Sequence, residues 1–71
     1  MILAQKHNES ILQFFAYEHL PEKLQTISAP FGQLAIRMVD MLPQCPERTA
    51  MLRKLLEAKD AAVRSSLFQD V

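Results

Sequence analysis

The chain is poor in the residues that carry most site chemistry. It has one cysteine, one glycine, no tryptophan and two histidines. A lone Cys45 excludes an intrachain disulfide. With only His7 and His19 beside it, no zinc-ligand spacing exists, so no metal is expected. Gly32 stands alone, which excludes a glycine-rich phosphate loop. No serine stands in a recognisable setting with a histidine and an acid, and a catalytic signature is missing altogether. Acidic and basic residues balance at eight each, for a net charge of zero. A protein that coats duplex nucleic acid is normally basic, because phosphate neutralisation supplies most of its affinity, so that partner is not expected. No apolar run approaches the ~20 residues of a membrane span. Met1 to Lys6 lack the charged lead and apolar core of a signal peptide. A cytoplasmic protein with no membrane partner is therefore expected, and the single cysteine agrees with a reducing compartment.

What remains is small and apolar. With 71 residues there is room for one domain. A domain of this length buries only ~60% of the surface its unfolded chain exposes. Small scaffolds usually need a disulfide, a metal or oligomerisation. The first two are excluded, so self-association is the remaining staple. An apolar fraction of 49% is high for a monomer of this size and fits that expectation.

The chain has no internal repeat and no linker. Residues 1–14 read as a short helix or an arm, with cap-type residues at Asn8, Glu9 and Ser10. Phe15 to Pro21 alternate aromatic and polar side chains, which predicts an extended lead-in; Pro21 suits the first turn of a helix. Leu24, Ile27, Phe31, Leu34, Met38, Met41 and Leu42 then recur at three- and four-residue spacing, the face of a helix. Pro30 interrupts it, and the continuous stripe favours one kinked helix over two. Pro43-Gln44-Cys45-Pro46 ends this helix and starts the next, with Pro46 first and Glu47 at the positive end of the macrodipole. The second helix is expected to bury Ala50, Met51, Leu55, Ala58 and Ala62, with Leu52 and Leu67 beside them. Glu57 with Arg53, and Asp60 with Arg64, are spaced as ion pairs on its polar face. The short connection makes the helices antiparallel. The expected fold is thus all-α: an antiparallel two-helix hairpin over 15–67, preceded by the arm, assembling into a helical homo-oligomer.

Two groups of residues offer binding chemistry. In an extended lead-in Phe15, Tyr17 and His19 share one side. The aromatic faces suit stacking on a nucleobase, worth ~1–3 kcal/mol per base, and His19 suits a phosphate or base edge. The plain alternative is that Phe15 and Tyr17 seal the open end of the core. On the last helix Arg48, Lys54 and Lys59 lie off the rows of paired charges. Arg48 stands in the first turn, where N–H groups also face anions, and can grip a phosphate in two-pronged fashion. The plain alternative is a solvated, charge-balanced helix face. Cys45, between prolines near a helix start, reads as a half-buried turn thiol.

These words in this order resemble the hairpin domain of phage cyclic-nucleotide sponges, the small anti-CBASS sponges whose hairpin is shared with a Thoeris-inhibiting family. The family pattern is Phe-x-Tyr-His-x-Pro before a first helix. A second helix follows Cys-Pro with Glu, then Ala-Leu-x-Lys-Leu-Glu-Glu-Ala, then Ala-Asn. Phe15, Tyr17 and Pro21 match the lead-in, with His19 one place displaced. Glu47, Leu52, Lys54, Leu55, Glu57 and Ala58 match the second helix. Ile27 is followed by Ser28 where the family often has Ile-Arg, and Ala62-Val63 stands for Ala-Asn. The resemblance implies a compact homo-oligomer, commonly a hexamer, that holds cyclic di- or trinucleotides between subunits without cleaving them. It implies no enzyme activity and no cofactor. Under this reading Phe15 and Tyr17 stack bases, and His19, Arg48, Lys54 and Lys59 make polar and phosphate contacts. The other reading is a helical protein-interaction module that binds a host or phage protein, with Met38, Met41 and Met51 as an adaptable surface. A third, an enzyme that degrades the same signals, finds no catalytic group to support it.

Overall fold

The computed structural model describes residues 10–68. The expected N-terminal arm lies outside the described residues as far as residue 9. The described chain is all-helical: a 3-10 helix over Ser10–Phe15, α1 over Glu22–Met41 and α2 over Pro46–Ser66. Among the described residues there is no strand. The two long helices pack against each other, and the 3-10 helix touches both.

Prolines set the helix limits. Pro21 is the N-cap of α1, with φ −55 and ψ 150. Its carbonyl accepts the N–H groups of Leu24 and Gln25, each at 2.9 Å. At the other end Leu42 is extended, as a residue before proline prefers. Cys45 is extended at φ −162 and ψ 166, and Pro46 opens α2 at a position where its missing N–H has no helical partner to lose. Glu47 and Arg64 sit at the ends of α2 that suit their charges. α1 continues through Pro30 as one helix. The proline is exposed, and so is Thr26, whose carbonyl would otherwise bond the residue 30 N–H. Both residues lie on the side of α1 away from its buried row.

The buried side of α1 is not the stripe that its periodicity suggests. Ser28, Gly32, Ala35 and Val39 are the buried residues of this helix. They form a row of small side chains about 90° round from the large apolar row. At Gly32 the absent side chain lets the Phe15 carbonyl and the Tyr17 ring come close to α1, and the larger Phe31 and Ile36 pack against the core from either side of this row. Phe31 is half-buried against the core, but Leu34 is 43% exposed and Met41 is 66% exposed. Leu42 is exposed too, while Leu24, Ile27 and Met38 are half-buried.

On α2 the fully buried apolar residue is Leu52. Met51, Leu55 and Leu56 pack partly against the core, whereas Ala58 and Leu67 are exposed. The core joins all three elements through Leu12, Phe15, Ala35, Val39 and Leu52. Asp60, expected to face Arg64, lies 3.4 Å from the Lys59 ammonium.

The extended lead-in is also corrected. Phe15 closes the 3-10 helix, and residues 17–20 form a turn closed by the Leu20 N–H on the Tyr17 carbonyl at 3.0 Å. Strand-like alternation therefore does not apply, and Phe15, Tyr17 and His19 do not share a face. Phe15 and Leu12, three residues apart, point into the core from the 3-10 helix.

Candidate functional site

The site begins with Gly32. A Cβ at this position would lie 3.1 Å from the Phe15 carbonyl oxygen, and 3.2 and 3.3 Å from Tyr17 Cε1 and Cδ1. Such contacts are too tight for comfort, so the absent side chain lets the Tyr17 ring lie directly on α1. A mid-helix glycine costs about 1 kcal/mol relative to alanine, and the close approach is what it permits here.

The turn carrying Tyr17 is tied to the start of α1. Gln25 Nε2 donates to the Leu20 carbonyl at 2.7 Å and to the Glu18 carbonyl at 3.2 Å. One side chain thus fixes the turn from below while Gly32 seats the ring. Between turn and helix lies a cleft of about 250 Å³ lined by Tyr17, Glu18, Gly32, Gln33 and Ile36. Across Gln33 lies a second hollow of about 210 Å³, lined by Pro30, Gln33, Leu34 and Arg37. The first carries an acid and an aromatic ring; the second carries a cation. A third, open hollow of about 510 Å³ lies at the end of α2, lined by Ala61, Arg64, Ser65 and Phe68.

Of the six residues expected to contact ligand, Tyr17 alone borders one of these hollows. Phe15 is fully buried, so no base can reach its ring in the folded chain; it seals the core, the plain alternative stated for it. Arg48 is corrected as well. It is buried at the start of α2, and its Nη1 donates to the carbonyls of Val39 at 3.2 Å and Leu42 at 2.9 Å. The last carbonyls of a helix have no helical partner, and a cation there also meets the negative end of the macrodipole. Arg48 therefore clamps the end of α1 to the start of α2 instead of standing open to a phosphate. Lys59 donates from Nζ to the Phe14 carbonyl at 2.8 Å, with the Asp60 carboxylate at 3.4 Å. Its side chain is only 12% exposed. It holds the 3-10 helix onto α2.

His19 is exposed in the turn next to the cleft, and Lys54 is exposed on the side of α2 away from Leu52. The structure does not gather the cations into a ring around the aromatics within one chain. Glu18, Gln33, Ile36 and Arg37 were missed by sequence reasoning. Gln33 and Arg37 lie off the apolar stripe of α1, which is the one sequence signal they carry. What brings Glu18 and Tyr17 over that face is the turn, whose signal is the pair of Pro21 and Gln25.

Among the described residues no cluster of His, Cys, Asp and Glu could hold a metal, and no helix is long and apolar enough to cross a membrane. No family model, no curated protein and no solved structure matches this chain.

Proposed function

We propose that this chain is a non-catalytic binding protein that assembles with copies of itself and sequesters cyclic oligonucleotide signals, as a phage sponge against CBASS-type immunity. The observation that carries the reading is the Tyr17 ring seated on Gly32 beside a cleft of about 250 Å³. A half-buried aromatic at the edge of a cleft offers a π-face to a base. The cleft lies below the ~300–1,000 Å³ typical of complete small-molecule sites. It therefore suits one ring of a larger ligand, with the remainder held outside or by a second copy. The exposed apolar residues Phe14, Leu34, Met41 and Leu42 supply surface for such a copy. The exposed Lys54 and His19 remain candidates for the phosphates once subunits meet. Sequestration needs no chemistry: it works by mass action when the subunit concentration and affinity exceed those of the competing receptor.

The test is calorimetry with cyclic di- and trinucleotides, followed by recovery of the ligand after heating. The reading expects tight binding, intact ligand and a large loss of affinity in Tyr17→Ala. Unchanged affinity in that variant removes the stacking role, and cleaved ligand removes the sponge.

A second reading is favoured by the same exposed apolar row. A protein partner could cover Leu34 and Met41 in place of a second copy, making the chain an adaptor. A thermal-shift screen separates them: a sponge gains several degrees with a cyclic nucleotide, and an adaptor gains none.

A further inference from the structure

We infer that the Tyr17 cleft selects guanine, with Glu18 reading the edge of the base and Arg37, across Gln33, holding the attached phosphate. This rests on the nucleotide-binding reading above and adds residues and a base identity to it. Glu18 is the charged residue among those that line the cleft. An ionised carboxylate only accepts hydrogen bonds. A ring that lies on Tyr17 with its edge toward this carboxylate is therefore held best through donors. Guanine presents two, N1–H and the N2 amino group, side by side on its Watson–Crick edge, and the two carboxylate oxygens can take both. Adenine and cytosine each place a ring-nitrogen acceptor beside the amino group, so one of the two contacts becomes repulsive. Uracil offers one donor flanked by carbonyls.

Gln33 lines both hollows, and its amide both donates and accepts, so it can serve a guanine O6 or a sugar hydroxyl without itself discriminating. Arg37 lies four residues on, one turn along the same side of α1, in the second hollow. Its forked donors fit a phosphate. An acid at one hollow and a base at its neighbour match a ligand with a donor edge at one end and an anion at the other. Glu18, Gln33 and Arg37 are all exposed, so their heads can be changed with little effect on the core.

The experiment is calorimetry on the full chain with cyclic di-GMP and cyclic di-AMP, at two salt concentrations, for wild type, Glu18→Gln and Arg37→Gln. Thermal melts confirm that each variant folds. Wild type is expected to favour the guanine ligand about tenfold, within the range a two-pronged base contact discriminates. Glu18→Gln should remove most of that preference, weakening the guanine ligand and strengthening the adenine one, because the amide supplies a donor where the carboxylate repelled the ring nitrogen. Arg37→Gln should weaken both ligands and flatten the salt dependence. A preference that survives Glu18→Gln, or a wild type that prefers adenine, overturns the guanine assignment and leaves the sponge reading intact. An Arg37→Gln variant that binds as wild type overturns the phosphate assignment. Binding of neither ligand, nor of any other cyclic nucleotide, overturns the sponge reading together with this one.

Discussion

Two rows of α1 share one helix and have opposite fates. The row Ser28, Gly32, Ala35, Val39 is buried, although its side chains are small. The neighbouring row is only partly covered, although its side chains are large: Phe31 and Met38 are half-buried, and Leu34 and Met41 are exposed. Size and burial are thus inverted relative to the usual expectation. A small row lets backbone come near backbone, so the 3-10 helix, Tyr17 and α2 can all approach α1 at once. A large row holds neighbours off, yet presents more apolar area per residue to anything that docks later. The first row builds the fold, and the second leaves Leu34 and Met41 exposed.

The comparison can be broken most severely at the centre of the core. Leu52 is fully buried in the small cluster that also holds Val39 and Ala35. Leu52→Ala should cost about 2–5 kcal/mol and unfold much of the chain, as read by urea titration. Next is the clamp at the closed end. Arg48→Met should cost about 1.5–3 kcal/mol, because the carbonyls of Val39 and Leu42 lose a charged donor. Nucleotide affinity per folded molecule should not change; a specific loss of affinity would return Arg48 to the binding site. Within the buried row, the Ser28 hydroxyl has no hydrogen-bond partner among the described residues. Ser28→Ala should raise stability by about 1 kcal/mol in the same titration, since it removes an unsatisfied buried group. The smallest effect on the single subunit belongs to the outer row. Leu34→Gln with Met41→Gln should alter subunit stability by less than about 1 kcal/mol, as exposed substitutions do. Sedimentation of this double variant should nevertheless show lost assembly. A variant that assembles as before would mean that this row is not the contact.

Helix number and limits were legible because prolines act locally. Pro21, Pro43 and Pro46 state where helices begin and end without reference to the rest of the chain. The short connection through Gln44 and Cys45 likewise dictated that the helices lie side by side. The facing of α1 was not legible. A periodicity reading weights large side chains, and it chose Leu34 and Met41 over Gly32 and Ala35. The lead-in failed for a related reason. Alternation of Phe15, Tyr17 and His19 implies a strand only if no local hydrogen bonds form, and here a 3-10 helix and a turn form instead.

The site was harder still. Arg48 and Lys59 looked like anion ligands because their partners are backbone carbonyls of other elements, at Val39, Leu42 and Phe14. Carbonyls carry no mark in a sequence. Tyr17 was identified from its residue type, but the reason it can lie on α1 is Gly32, which read only as an isolated glycine. Glu18 gave no signal at all until the turn placed it beside Gln33.

Native mass spectrometry of the full chain, with and without cyclic dinucleotides, addresses the division of α1 into an inner and an outer row most directly. The account predicts a defined assembly of several copies that retains intact nucleotide, and that falls to single subunits when Leu34 and Met41 are both made glutamine. A wild-type chain that stays a folded monomer at micromolar concentration and takes up no nucleotide would contradict it.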